Sequence, residues 1–250
     1  MPASSVLCLA INQGPSNVSL QFVLDSRGNA RLMDEVGESL VQLASKIPDG
    51  LVVFFQKFDY VEQLLERWRS TGTYARLQAI KHVYSEPRSA AAVEATLASY
   101  SASIDSGSGA MILCVVNGKM SEGINFKDRM GRGVVVVGLP YANKYAPALK
   151  AKIDFLNGLQ QQQGDEYYEN LCMKAVNQSI GRAIRHKDDY AVIVLLDRRF
   201  SEKRAKLPGW IGNSFSANVA FPDAIARIGG FFSSRACVQT NKNNCTTDNC

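Results

Sequence analysis

Apolar positions along the chain recur in two patterns, one typical of buried strands and one typical of amphipathic helices. Short runs rich in apolar residues predict strands at residues 6–11, 18–24, 51–55, 82–84, 111–116, 134–138 and 191–196. Where these runs are continuous, they indicate strands that are covered on both faces. Apolar residues at helical spacing predict helices between them, at residues 32–47, 58–68, 88–103, 147–162, 166–185 and 222–232. This alternation predicts one α/β domain with a parallel sheet and helices on both faces.

The composition changes near the C-terminus. We predict one domain over residues 1–232 and a disordered, Asn/Thr-rich tail over residues 233–250. Cys8, Cys114 and Cys172 lie in apolar segments, where a free thiol behaves as a small core residue. The cysteines of the tail, Cys237, Cys245 and Cys250, match no zinc-binding spacing.

Charge and hydropathy narrow the class of protein without identifying it. The chain has 250 residues, of which 46% are hydrophobic and 20% charged, as in ordinary globular proteins, and its net charge is +5. This basic excess is compatible with a polyanionic partner. No apolar run approaches the roughly 20 residues of a membrane span, and the first residues lack the features of a secretory signal. We therefore expect an intracellular protein with no membrane partner.

The most informative polar pattern lies at residues 177–186, just before the last apolar strand. Each helical residue turns about 100° from the previous one, so Gln178, Arg182 and Arg185 would share one narrow stripe. Guanidinium groups fork onto phosphate oxygens, and such a stripe suits a nucleotide whose γ-phosphate gains charge during transfer. The segment fits a solvated basic helix end equally well, because arginine also complements the helix dipole.

A second polar segment, residues 118–126, follows the strand at residues 111–116. Ligands of open α/β sheets bind at the carboxyl ends of the strands. Gly118 and Gly123 would let backbone amides approach a phosphate or a second chain. Four residues supply polar groups around them, namely Lys119, Ser121, Glu122 and Asn125. The alternative is a surface loop whose glycines merely turn the chain; the position between two core strands favours a functional loop.

The chain lacks a phosphate cradle of its own. Residues 118 and 119 cannot belong to a P-loop, because Met120 occupies the Ser/Thr position and Leu113 that of the upstream glycine. Asp197 ends a strand as a magnesium ligand would, but Arg198 follows where a catalytic carboxylate is needed. Arginines facing a phosphate without a cradle predict half of a composite nucleotide site.

No motif predicts a metal site or a catalytic nucleophile. Neither His82 nor His186 has a neighbour in the sequence that suits metal binding, and no Ser/His/Asp or Cys/His arrangement is visible. We therefore predict no metal ligands in this chain.

Two of these segments resemble helicase motifs. Residues 178–185 resemble motif VI and residues 118–126 resemble motif V of the superfamily 2 iron–sulphur helicases related to the xeroderma pigmentosum group D protein. Residues 33–37, 118–126, 170–178 and 206–211 are most similar to the chromosome-loss-type DEAH-box DNA helicases linked to sister-chromatid cohesion. The resemblance extends from about residue 5 to residue 232.

The resemblance implies the second RecA-like domain of an ATP-dependent 5′-to-3′ DNA helicase. ATP and Mg²⁺ would be held mainly by the N-terminal RecA-like domain, and the 4Fe-4S cluster would lie in that other half. The implied partners are DNA, the N-terminal helicase domain, and cohesion or replication proteins, and the implied location is the nucleus.

The family's functional residues map onto both segments. Arg182 and Arg185 would contact the γ-phosphate, and Gln178 would order the water or phosphate beside them. The nucleotide would be bordered by Gly123, Asn125 and Gly181, while Glu122 would couple the cleft to DNA. Contacts with the DNA backbone are expected from Lys119 and Ser121.

This chain departs from the family in two ways. Asn125 stands where many relatives carry Asp. The resemblance places motif IV at Phe54 and Phe55, and the following residues 56–58 differ from the commoner Pro-Ser-Tyr. Met1 falls at a position inside the family's chain, which indicates a fragment or a truncated product. The isolated chain should therefore hydrolyse essentially no ATP. The alternative function is a non-catalytic module that binds nucleic acid or a helicase partner.

Overall fold

The computed structural model describes residues 5–23, 28–182, 186 and 189–245, with only the backbone described at residue 122 and at residues 236–245. The strands within these residues are β1 (Val6–Ile11), β2 (Gly50–Phe55), β3 (His82–Ser85), β4 (Ala110–Val115), β5 (Gly133–Val137), β6 (Ala191–Leu196) and β7 (Phe215–Val219). They form one sheet in the order β3-β4-β2-β5-β6-β1-β7. Every paired register in it is parallel, which confirms the predicted sheet.

The α-helices of the described residues are α1 (Ala30–Lys46), α2 (Phe58–Thr71), α3 (Thr73–Ile80), α4 (Val93–Asp105), α5 (Lys119–Gly123), α6 (Pro147–Leu159), α7 (Gln163–Ile180) and α8 (Phe221–Cys245). None of these helices is both long enough and apolar enough to span a bilayer.

Successive residues of each central strand enter different halves of the core, because strand side chains alternate between the two faces. Val53 and Phe55 of β2 pack with α1, α2 and α8 on one face. Val52 and Phe54 pack with α4 and α7 on the other. The central strands are buried throughout, so the unbroken apolar runs identified them correctly.

The structure differs from the predicted strands at two places. The apolar run at residues 18–24 forms only one isolated bridge, Ser19 to Gln13, within its described part, residues 18–23. Leu20 and Phe22 are buried there, but Leu20 N–H donates to Asn12 O and Phe22 N–H to the Asp197 carboxylate. Its backbone groups thus bond to loops and a side chain rather than to a strand. The structure also contains β7, which the sequence did not predict, because only Phe215 of that polar strand is buried.

The C-terminal helix, α8, continues to Cys245 rather than ending at the predicted residue 232. The proposed division into a domain over residues 1–232 and a tail over residues 233–250 stays a prediction. Cys250 lies outside the described residues, as do the side chains of Cys237 and Cys245.

Cys8, Cys114 and Cys172 are buried, as predicted for core thiols. Burial raises the pKa of Cys8 and of Cys172 to about 12 and also raises the pKa of Cys114. These thiols are therefore neutral near pH 7, and thiolates rather than thiols ligate metals.

Asp197, at the carboxyl end of β6, is a structural anchor. Its fully buried carboxylate accepts from Phe22 N at 3.1 Å, from Arg199 N at 3.0 Å, and from Arg199 Nε and Nη2 at 2.9 and 2.7 Å. These four hydrogen bonds occupy the acceptor positions of the Asp197 carboxylate. Asp197 therefore joins the segment before α1 to the end of β6.

We predict that Asp197→Ala lowers the free energy of unfolding by about 3 kcal/mol, because it leaves Arg199 and the Phe22 N–H without their buried acceptor. Urea unfolding followed by circular dichroism measures this change. Asp154→Ala is the matched control, since it breaks the exposed Lys150–Asp154 pair on α6 and should leave the midpoint unchanged. Equal midpoints for the two variants would contradict the anchoring role.

Candidate functional site

The loop after β4 is fixed by a buried carboxylate. Glu86 is 5% exposed, and its side chain accepts from Val115 N at 2.8 Å and from Met120 N at 3.0 Å. A Cβ at Gly118 would lie 2.5 Å from the Glu86 carboxylate, so only glycine permits this approach. Glu86 belongs to no motif in the sequence; its one signal is that an acidic residue directly follows β3, at the carboxyl edge of the sheet.

The first turn of α5 therefore cannot cradle a phosphate, because Glu86 already holds the Met120 amide. This agrees with the predicted lack of a P-loop in the chain. Lys119 is exposed, whereas Ser121 is buried and its hydroxyl donates to Gly118 O at 2.9 Å. A DNA contact through the Ser121 hydroxyl would require this turn to open.

The rest of the loop between β4 and β5 runs from one end of the strands to the other. β4 and β5 are parallel, so residues 116–132 must return from the carboxyl end of β4 to the amino end of β5. Gly123 and Asn125 are exposed on this path. The predicted position at the carboxyl edge is therefore right for Lys119, but Asn125 lies towards the amino ends of the strands. The side chain of Glu122 is outside the described part of the structure.

The structure brings two of the predicted residues into contact. Arg182 Nη1 donates to Asn125 Oδ1 at 3.5 Å, the outer limit of a hydrogen bond. Arg182 is half-buried and follows α7, and Asn125 follows α5. Segments that were identified from separate sequence patterns thus meet at one point on the surface.

Arg182 reaches this point from beyond the helix, contrary to the predicted stripe. α7 ends at Ile180, Gly181 caps it, and Arg182 N–H donates to Ser179 O at 3.2 Å in a tighter last turn. Glycine costs about 1 kcal/mol relative to alanine inside a helix, which favours an end here. Gln178 lies half-buried in the last turn of α7. Arg185 lies outside the described residues.

A network of hydrogen bonds and one buried ion pair stabilises the chain beside this contact. His186 Nε2 lies 2.8 Å from Asp128 Oδ1, Asp128 N–H donates to Asp189 Oδ2 at 3.4 Å, and Arg132 Nη1 donates to Asp189 Oδ1 at 2.8 Å. Arg132 also stacks on the Tyr190 ring, with Cζ 3.9 Å from its centroid. The network joins the start of β5 to the start of β6, so it holds the segments that carry Asn125 and Arg182.

The sequence around His186 suggested no metal ligand, but the fold brings two carboxylates near its ring. One ligand atom each from Asp128, His186 and Asp189 lies within 4.8 Å of the others. The Asp189 carboxylate, however, already balances the buried Arg132 guanidinium. The geometry therefore describes a salt-bridge network, and the predicted absence of metal ligands stays a prediction.

Comparison with known proteins identifies the family. A model described as "Helicase C-terminal domain" matches residues 40–214. The ATP-dependent DNA helicase DDX11 of Danio rerio is 41% identical over 246 residues, which cover 93% of this chain and 28% of the fish protein. The ATP-dependent DNA helicase CHL1 of Scheffersomyces stipitis is 43% identical over 209 residues, covering 78% of this chain and 25% of the yeast protein.

Solved structures agree on the fold. A structure titled "XPD_APO" superimposes with a TM-score of 0.61 at 20% identity, covering 86% of this chain and 39% of that chain. A structure titled "XPD_Helicase" gives a TM-score of 0.60 at 20% identity, covering 84% of this chain and 33% of that one. These neighbours show the predicted RecA-like α/β fold.

The chain spans little more than a quarter of the length of the curated relatives that it matches. The family model covers well over half of the chain, and the sheet matches the fold of solved helicases. The chain therefore belongs to the helicase C-terminal domain family.

Proposed function

We propose that this chain is the second motor domain of an ATP-dependent DNA helicase and supplies arginine side chains to ATP bound by an N-terminal RecA-like domain. The observation that carries the proposal is the contact between Arg182 and Asn125, which joins the two helicase-motif segments at one exposed point. The relatives named as ATP-dependent DNA helicases support it.

The described residues fit one half of a nucleotide site. Arg182 supplies a guanidinium and Asn125 an amide at the surface. The N-terminus of α5 offers no free Met120 amide for a phosphate, because that amide donates to Glu86. ATP and Mg²⁺ therefore need the N-terminal domain for the phosphate cradle and the metal ligands. Cys8, Cys114 and Cys172 are separately buried neutral thiols, so these cysteines do not fit a 4Fe-4S cluster.

Closure of the two domains would place Arg182 against the γ-phosphate in exchange for its present amide partner. A guanidinium at that position stabilises charge that develops in phosphoryl transfer, an effect of about 10³–10⁵ in rate where it has been measured. We assign Arg185 to the same phosphate, Gln178 to the attacking water, and Gly123, Asn125 and Gly181 to the border of the nucleotide.

The proposed DNA contact lies at the carboxyl ends of the strands, whereas Arg182 and Asn125 lie towards the amino ends. Lys119 would contact the backbone of a strand moving 5′ to 3′, and Ser121 and Glu122 would couple the loop to the cleft. Nuclear location and partners in cohesion or replication belong to this proposal.

For the nucleotide site, we predict that Arg182→Ala lowers single-strand-stimulated ATP hydrolysis at least about a thousand-fold when the chain is assembled with a separately produced N-terminal half. Arg182→Lys should restore only part of the rate, because lysine keeps the charge but loses the planar fork. Coupled-enzyme assays measure the rate, and analytical ultracentrifugation checks that the halves associate.

Arg76→Ala is the matched control, since Arg76 pairs with Glu38 on the other face of the domain and should leave the rate unchanged. An associated assembly that hydrolyses ATP equally well with Arg182→Ala would overturn the assignment and favour a non-catalytic binding module.

We further predict that the purified chain alone hydrolyses no ATP above the background of a buffer control, with or without single-stranded DNA. The reason is that the described residues offer no phosphate cradle. DNA-stimulated turnover that co-purifies with the chain through successive columns would contradict the composite site.

A further inference from the structure

Helix α6 forms an outer layer of the domain. α7 packs against the sheet through Cys172, Met173, Val176 and Ile180. α6 packs mainly on α7, and none of its residues is buried. An isolated helix of its length, 13 residues, is marginal in water, so α6 depends on this packing for its stability.

The turn between α6 and α7 holds the two helices closely together. Asn157 Oδ1 accepts from Gly164 N at 2.8 Å across this turn. A Cβ at Gly164 would lie 2.2 Å from Ile153 O, so only glycine lets the two backbones approach this closely. The outer face of α6 is therefore presented in a fixed orientation, which lowers the entropy cost of binding a partner.

This outer face carries an apolar stripe. Phe155 is 60% exposed and Leu159 is 65% exposed, and Ala148 and Ala151 are exposed as well. The four residues are spaced by three, four and four positions, so they share one side of the helix. We refer to them as the α6 stripe. The solvent side of a surface helix is normally polar, and adjacent large apolar residues on it indicate a contact surface.

The size and shape of the α6 stripe favour a helix as its partner. The stripe offers roughly 300 Å² of apolar surface, since a large side chain buries about 150–250 Å² when it is fully covered. A stable interface between two globular proteins buries about 800 Å² on each side, so this stripe alone would not hold a second copy of the chain. An amphipathic helix, by contrast, binds through apolar anchors at this spacing.

The charges beside the stripe favour an acidic partner. α6 contains two lysines and one aspartate. Asp154 is already paired with Lys150 at 2.8 Å, and within the described residues no carboxylate pairs with Lys152. Lys152 Nζ lies 5.9 Å from the centroid of the Phe155 ring. An unbalanced positive charge therefore lies beside the largest apolar side chain of the stripe, where a partner's carboxylate can reach it.

We propose that the α6 stripe is a docking surface for an acidic amphipathic helix of a partner protein. The apolar side of that helix covers Phe155 and Leu159, and one of its carboxylates pairs with Lys152. This interaction does not depend on the proposed motor function, because it uses none of the residues assigned to the nucleotide or to DNA.

The test is the binding of two labelled synthetic helices of about 20 residues to the full chain, measured by fluorescence anisotropy. Both peptides carry leucines at the spacing of the stripe, and the flanking positions are glutamate in one and lysine in the other. The glutamate peptide should bind wild type more tightly. Combined Phe155→Ser and Leu159→Ser replacement should weaken its binding at least about 30-fold, because it removes both anchors. Lys152→Glu should reverse the preference between the peptides.

Trp210→Ser is the matched control, since Trp210 is also a large exposed ring but lies outside α6. It should leave the affinity for the glutamate peptide unchanged. Thermal unfolding should give the same midpoint for wild type and the double variant, because both replaced side chains are exposed.

Three results would overturn the proposal. The first is equal affinity of wild type and the double variant for the glutamate peptide, or failure of the wild type to bind it. The second is a dimer in sedimentation equilibrium that the double variant loses, which would make a second copy the occupant. The third is a loss of affinity for oligo(dT) in the double variant that matches its loss for the peptide, which would make the stripe a nucleic-acid surface.

Discussion

The parallel arrangement of the sheet determines where this domain can place functional groups. Each strand ends at the carboxyl edge of the sheet, where the carboxyl ends of all strands lie. The chain must then return to the amino edge before the next strand begins. Both faces of the sheet are covered by helices, so polar groups collect at the two edges. Lys57, Lys144 and Arg199 lie at the carboxyl edge, whereas Asn125 and Arg182 lie towards the amino edge. The fold therefore separates a basic surface from a guanidinium–amide site.

The arginines of the domain differ in the partners that the structure shows for them. Arg132 is 6% exposed, pairs with the buried Asp189 and stacks on Tyr190, so moving it would leave a carboxylate buried without its partner. Arg199 is bound in the same way by Asp197. Arg182 is half-buried at the surface, and its amide contact with Asn125 is long and uncharged. In the proposed function, a phosphate would compete with this neutral amide more readily than with a buried carboxylate, because both partners of the new contact would be charged.

The sequence predicted the elements whose pattern is decided by burial. The central strands are buried on both faces and therefore appear as unbroken apolar runs, and α1 was recognised from its apolar stripe. β7 was missed because it is a polar edge strand, and residues 18–23 were mistaken for a strand because Leu20 and Phe22 are buried in a loop. The helicase-motif segments were found from local spacing. Glu86 was not, since its contacts with Val115 and Met120 depend on which strand ends the topology brings together.

One segment of the chain, residues 116–132, links the two edges of the sheet. It begins beside Lys119 and Glu86 at the carboxyl edge, passes Asn125, and ends in the ion pairs of Asp128 and Arg132. Both ends are anchored by buried carboxylates, Glu86 at one end and Asp189 at the other. Asn125, between these two anchors, contacts Arg182. If the proposed function holds, this segment is the shortest covalent connection between the proposed DNA contact at Lys119 and the proposed nucleotide contact at Arg182.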